Sequence, residues 1–341
     1  MTRDTLAAAF SAVSGEGGSI ATRVLRATLT PAELGFWLAT RAYHAAYSRR
    51  WLPRYAVAVP VISVGNLTVG GSGKTPVAAW IARRLLETGQ HVAILHGGYA
   101  EDEPALHRLW NPAIPVFAGN DRLRAAGEAI AGGAKVLVLD DAFQHRRIER
   151  DLDIVLIAAE RWQARPRLLP RGRWREPPEH LSRAGAIGVT ARTVNDSRAL
   201  TVLAEATRFA PGAIGFVLRL APAGWSRLTE AGLGPEAAPP VGIALGVAAI
   251  AEPELFVANA RAAGARIERC RFYADHHVYS EVDWRRLVRE AGDSAIVTTE
   301  KDAVKLQRYA GGAAVFVLRQ RVVAIVGENT LWNRIGELLT G

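Results

Sequence analysis

Between Gly65 and Pro76 the chain reads GNLTVGGSGKTP. The GKT ending has the spacing of a loop that cradles nucleotide phosphates. In that chemistry the backbone N–H groups around Gly70, Gly71 and Gly73 converge on phosphate oxygens. Lys74 reaches the β- and γ-phosphates, and the Thr75 hydroxyl ligates Mg2+. The general pattern G-x-x-x-x-G-K-[ST] puts a glycine where this chain has Thr68. Thr68, Val69 and Ser72 therefore complete an expected ATP-binding loop whose entrance is altered. The competing reading is a glycine-rich turn with a solvated lysine.

A second group follows in VLVLDDAFQHRR, residues 136–147. A carboxylate at the end of a buried strand is where a phosphate-loop enzyme holds its metal. Asp140 and Asp141 both stand there. Neighbouring strand residues point to opposite faces, so their roles should differ. One is expected at the metal, the other at a loop or base. Gln144 and His145 come next and are candidates to face the cleft. Asn66, before the loop, and Arg175, in the arginine-rich run 160–177, join them as candidate acceptor contacts. Arginine grips phosphate through two parallel bonds.

These groups need rigid supports. AVAVPVISVGN (56–66) is apolar and β-branched and reads as a buried strand leading into the loop. PVAAWIARRLLETG (76–89) has helical spacing and a terminal glycine. HVAILHGG (91–98), AKVLVLDD (134–141), DIVLIAA (153–159) and AIGVTAR (186–192) read as further strands, with a helix at 121–133. Strands alternating with helices predict an α/β fold, a mostly parallel sheet with helices on both faces. A second, smaller α/β unit is expected from about residue 213, closed by a C-terminal helix. The expected division is 1–55, 56–212 and 213–341.

The formal charge is 42 − 33 = +9, and the lysines are Lys74, Lys135, Lys301 and Lys305 alone. A chain that so prefers arginine still keeps lysine in the loop, where a compact point charge suits a phosphate. A basic surplus favours acidic partners. No reader motif or aromatic stacking platform gathers the charge, so nucleic acid is not expected. Cys270 is the single cysteine, which excludes an internal disulfide. Residues 1–22 lack the apolar core of a cleavable signal. Residues 30–55 interleave Leu34, Phe36, Trp37, Leu38, Tyr43 and Tyr47 with Arg41 and end in Arg49, Arg50, Trp51 and Arg54. Such a segment suits an amphipathic helix lying in a membrane interface or one packed on the core.

GNLTVGGSGKTP, EDEP (101–104), DDAFQHRRIERDLDIVL (140–156), LLP…REP (168–177), DHHVYS (275–280) and TTEKDAVKL (298–306) occur in that order. Together they resemble the tetraacyldisaccharide 4'-kinase family, the lipid A 4'-kinases. The resemblance runs from about Leu34 to the C-terminus and makes Thr68 the usual residue at its position. It implies two α/β lobes with a P-loop and an active site in the cleft. It implies transfer of the γ-phosphoryl of ATP, with Mg2+, to the 4'-hydroxyl of a tetraacyl glucosamine disaccharide 1-phosphate. It further implies Asp102 and His276 as the catalytic pair and Arg175 as the arginine of an REP motif.

The implied partners are ATP, an anionic glycolipid and the inner-membrane surface, with the protein peripheral on its cytoplasmic face and a monomer. Departures from the family pattern are Ala142 in DDAFQH, Glu101 beside Asp102, a short stretch between Gly98 and Asp102, and GVAAIAEP (246–253) in place of a GIGNP form. Two other readings of the loop compete. One is a kinase or NTPase acting on another phosphorylated metabolite, and the other a nucleotide-gated membrane adaptor.

Overall fold

The computed structural model describes residues 27–98 and 102–340. The signal-peptide reading of residues 1–22, and Glu101 with most of the short stretch before Asp102, lie outside them. Helix α1 (Thr30–Ser48) is the first element of the described residues. Strand β1 (Val61–Asn66) is buried at every position and leads through the glycine loop into α2 (Lys74–Glu87). Then come β2 (Val92–His96), α3 (Asp102–Trp110), β3 (Val116–Ala118), α4 (Arg122–Ala131), β4 (Val136–Asp140), β5 (Leu152–Ala158), β6 (Ala186–Ala191) and α5 (Asp196–Thr207). These strands pair in parallel, with β1 between β4 and β5. Helices cover both faces, so the central strands read as unbroken apolar runs rather than alternating ones.

The rest of the chain forms β7 (Ile214–Thr229), β8 (Gly232–Ala237), β9 (Ile243–Ala248), α6 (Pro253–Ala262), β10 (Arg266–Phe272), α7 (Glu281–Ala291), β11 (Ala295–Thr299), α8 (Glu300–Leu306), β12 (Val315–Val326) and α9 (Glu328–Thr340). Among the described residues all strands belong to one twelve-stranded sheet, ordered β10-β9-β11-β12-β7-β6-β5-β1-β4-β2-β3, with β8 on β7. The expected division near residue 213 thus falls where β7 begins, and the sheet does not break there. β7 pairs in parallel with β6 and antiparallel with β12 from Val217↔Val326 to Arg227↔Phe316. This long ribbon joins the lobes, with a register shift between Leu318 and Gln320.

Helix α9, expected with the second lobe, packs on the first. Its buried Leu331 and Ile335 share a core with Val77, Ile81 and Leu85 of α2. Trp332 meets Trp80 edge-on at 5.3 Å. Each such aliphatic burial is worth about 1.5–3 kcal/mol, which draws the chain end back. The second lobe has its own core around Leu245, Val247, Tyr279, Leu287 and Val317.

Candidate active site

The glycine loop sits between β1 and the start of α2. Gly70, Gly71 and Gly73 have φ of 73°, 67° and 75°, the left-handed region that glycine enters without strain. Thr68 is different. It forms an antiparallel bridge with Trp174, and Val69 N–H donates to Arg173 O at 2.8 Å. An extended position suits a β-branched residue, so no glycine is required at the loop's entrance. Buried Asn66 braces the loop from below. Its side-chain amide donates to Ser72 Oγ at 2.6 Å, while its carbonyl oxygen accepts from Arg175. Thr190 Oγ1 donates to Ser72 O at 3.0 Å. Lys74 opens α2, and Thr75 is buried beside it.

The two aspartates at the end of β4, Asp140 within it and Asp141 just past it, diverge as their adjacency requires. Asp140 is fully buried and accepts from His107 Nε2 at 2.9 Å through Oδ2. Its Oδ1 has no hydrogen-bond partner among the described residues. Burial opposes ionisation of Asp140, but the His107 hydrogen bond and charge keep its carboxyl below the usual range. Asp141 turns into the cleft with φ 49°, a left-handed torsion that is costly for a non-glycine residue. It takes a bond from Arg175 at 2.8 Å and lies 3.7 Å from Lys74 Nζ. Burial opposes that charge too, yet Lys74 and Arg175 hold its carboxyl at about 2.

Arg122 locks the turn by donating to Asp140 O and Asp141 O, both at 2.9 Å. Ala142 is buried and is not among the residues with positive φ, so glycine is not needed there.

Asp102 starts α3 in the first lobe, and His276 stands in the second. His276 Nδ1 lies 3.0 Å from Asp102 Oδ2, and Lys301 Nζ lies 3.2 Å from His276 Nε2. An ammonium only donates, so Nε2 is the acceptor and Nδ1–H donates to Asp102. Lys301 also meets Asp275 Oδ1 at 2.9 Å and Asp102 Oδ2 at 3.7 Å. Burial pushes the Asp102 carboxyl up, but His276, Lys301 and Lys305 bring it down to about 2. His276 is raised by its bond to Asp102, against burial and Lys301. Asp102 Oδ1 is buried and has no partner among the described residues. His276, like Asp141, holds a left-handed torsion, φ 62°. Asp302, beside Lys301, accepts from Ala249 N–H at 3.0 Å, and its own N–H donates to Thr299 Oγ1, the N-cap of α8.

A cavity of about 580 Å3 runs between the lobes. One wall is the loop with Lys74, Thr75, Asp141 and Arg175; the other includes His276, Lys301, Leu255, Phe256 and Asn259. A smaller pocket of about 210 Å3 opens on the other side of Asp141 and Arg175, lined by Tyr43, Arg122, Gln144 and His145 among others. Gln144 donates to Asn66 O at 2.8 Å. Burial and then Arg122 and Arg150 push the His145 imidazole down to about 4, so it is neutral.

The arginine run does not act as one patch. Arg171 pairs with Glu33 of α1 at 3.3 Å, whereas Arg175 faces the cleft. His96 and His107 had no signal in the sequence. His96 Nδ1 accepts from Gly98 N–H at 3.0 Å, so Nε2 carries its proton toward Glu103 at 2.7 Å. Both histidines meet their partners only because β2, α3 and β4 are neighbours.

Helix α1 docks by one face. Phe36 and Trp37 pack on the first lobe, and buried His44 lies 3.1 Å from Glu176. On the other face Leu34 and Leu38 are exposed, and just past the helix end Trp51 is 70% exposed. No helix of the described residues is long and apolar enough to cross a membrane.

Residues 25–340 match the family described as Tetraacyldisaccharide-1-P 4'-kinase. The chain is 37% identical over 330 residues to the tetraacyldisaccharide 4'-kinase of Anaeromyxobacter dehalogenans strain 2CP-C, covering 89% of this chain and 86% of that one. It is 36% identical over 277 residues to that of Halorhodospira halophila, covering 76% and 77%. Among solved structures, LpxK from Aquifex aeolicus in complex with ATP superposes with a TM-score of 0.74 at 27% identity, covering 92% of this chain and 99% of that one. Sequence and fold together make this chain a member of the tetraacyldisaccharide-1-P 4'-kinase family.

Proposed function

We propose that the interlobe cleft phosphorylates the 4'-hydroxyl of a tetraacyl disaccharide 1-phosphate from ATP, the lipid A step that the family's name describes. The observation that carries the residue assignment is Asp102. One of its oxygens is held by His276 and Lys301, while the other is buried and has no partner among the described residues. That free Oδ1 receives the proton of the acceptor hydroxyl. A carboxylate held at about 2 is a weak base. A loose phosphoryl-transfer transition state asks little of the base, so orientation of the hydroxyl weighs more. His276 keeps Asp102 ionised and aimed, and its place on the other lobe lets closure assemble the pair.

Lys74 and the N–H groups of residues 68–75 hold the ATP phosphates. Thr75, Asp140 and Asp141 offer hard oxygen donors, which suit Mg2+, and Asp140 Oδ1 is a buried acceptor without a partner among the described residues. When bound there, Mg2+ would neutralise charge on the β- and γ-phosphates. The smaller pocket suits the acceptor's sugar head group, with Asn66, Gln144, His145 and Arg175 on or beside its wall. Leu34, Leu38 and Trp51 beside Arg41, Arg49 and Arg50 suit peripheral attachment to the cytoplasmic face of the inner membrane. The deciding experiment supplies ATP, Mg2+ and the lipid disaccharide 1-phosphate and looks for the bis-phosphorylated product. Steady ATP hydrolysis with no such product would sink the assignment.

A further inference from the structure

We propose that Arg161 is a ligand of the nucleotide phosphates, and that Glu252 of the opposite lobe competes with those phosphates for its guanidinium. This rests on the nucleotide site proposed above and adds a residue that lies outside the glycine loop and its metal groups.

Arg161 ends the short turn that follows β5, the strand beside β1. That position lays its side chain over the loop. A methyl group on Gly71 would overlap the Arg161 guanidinium, so glycine at this point admits the arginine as well as the left-handed torsion. Arg161 lines the large cavity together with Gly70, Gly71, Ser72 and Lys74. Its ion-pair partner is Glu252, immediately before α6 in the second lobe. Glu252 stands at the N-cap of that helix, yet its side chain makes no capping bond there. It reaches across the cleft instead.

The charge balance around Gly71 is lopsided. Arg192 donates to Gly71 O, and burial and then the Arg161 charge both disfavour the Arg173 cation. The nearby Glu160 is already engaged, accepting from the N–H groups of Arg192 at 2.6 Å and Thr193 at 2.9 Å. Glu252 is ion-paired with Arg161, and the charge of its single carboxylate also favours the cations of Arg173 and Arg192. A polyphosphate beside Gly71 offers several anionic oxygens to the same guanidinium, and arginine matches them with a two-pronged fork. Phosphate therefore replaces Glu252, and the exchange removes one tie between the lobes as ATP enters.

The test uses the full-length protein, a fluorescent ATP analogue, and displacement by ATP, ADP and adenosine. Arg161→Ala should weaken ATP and ADP by roughly 10- to 100-fold, the worth of charged hydrogen bonds, and leave adenosine unchanged. Arg161→Lys should recover part of the loss. Glu252→Gln should bind ATP as tightly as the parent or more tightly. The proposal fails if Arg161→Ala binds ATP like the parent. It also fails if Glu252→Gln weakens ATP as much as Arg161→Ala does, because the pair would then be purely structural. Lys74→Ala separates this from the wider reading. Loss of ATP binding there, without loss in Arg161→Ala, overturns the Arg161 role alone, whereas ATP binding retained in Lys74→Ala overturns the nucleotide site.

Discussion

His276 Nδ1 donates to Asp102 Oδ2 at 3.0 Å across 174 positions of sequence and from one lobe to the other. The second oxygen of Asp102 has no partner among the described residues, and the proposed role of an oriented base rests on it. Asp102→Asn should lower the transfer rate by roughly 10^2- to 10^4-fold with ATP binding retained. His276→Ala should cost less, because the carboxylate remains. Steady-state transfer of labelled phosphate measures both, and an Asp102→Asn enzyme within tenfold of the parent would contradict the assignment.

Lys301 lowers the pKa of Asp102 and of His276 together, since its positive charge favours the carboxylate and disfavours the imidazolium. Removing it in Lys301→Met raises both. The acid limb of kcat/KM against pH should then shift to higher pH. A limb that stays at the parent's pH would show that Lys301 does not set this pair.

Lys74 and Asp141 should separate nucleotide from metal. Lys74→Ala removes the point charge beside the phosphates and should abolish both ATP binding and transfer. Asp141→Asn leaves the loop in place. It should retain ATP binding but raise the Mg2+ concentration needed for half-maximal activity. Equal Mg2+ dependence in the variant and the parent would remove Asp141 from the metal site.

His145 is held at about 4 in the fold against an ordinary value of 6.5, because burial and Arg122 disfavour its charge. Between those values the unfolded chain binds the extra proton. Stability from this residue is therefore lost as pH falls from 6.5 toward 4. Urea unfolding of His145→Gln at pH 7 and pH 5 should show a smaller pH dependence than the parent. An identical slope would place the acid sensitivity elsewhere.

Leu34 and Leu38 lie four residues apart on the exposed face of α1, at 56% and 52% exposure. Deleting the helix would also strip His44 from Glu176 and disturb the core. Leu34→Glu with Leu38→Glu is the cleaner test. It should weaken binding to anionic vesicles and leave ATP binding unchanged, as co-sedimentation and nucleotide titration would show. Unaltered vesicle binding would contradict the membrane face.

The local chemistry was legible in the linear chain because each part is local. A buried strand, glycines with left-handed freedom and a helix start place Lys74 and Thr75 within a few residues of one another. The pair Asp140 and Asp141 was legible as two roles, since adjacent side chains diverge. Which one faces the cleft was not. That depends on the left-handed torsion of Asp141 and on His107, which arrives from α3.

The sequence by itself determined the phosphate loop, the parallel α/β pattern and, through ordered motifs, the family. Tertiary structure alone decided the contacts between distant segments. It paired Arg161 with Glu252, set Lys301 behind His276, gave Thr68 its extended bridge to Trp174, and returned α9 to the first lobe. Such contacts follow from the strand order of one continuous sheet, which brings together residues that no short-range spacing relates.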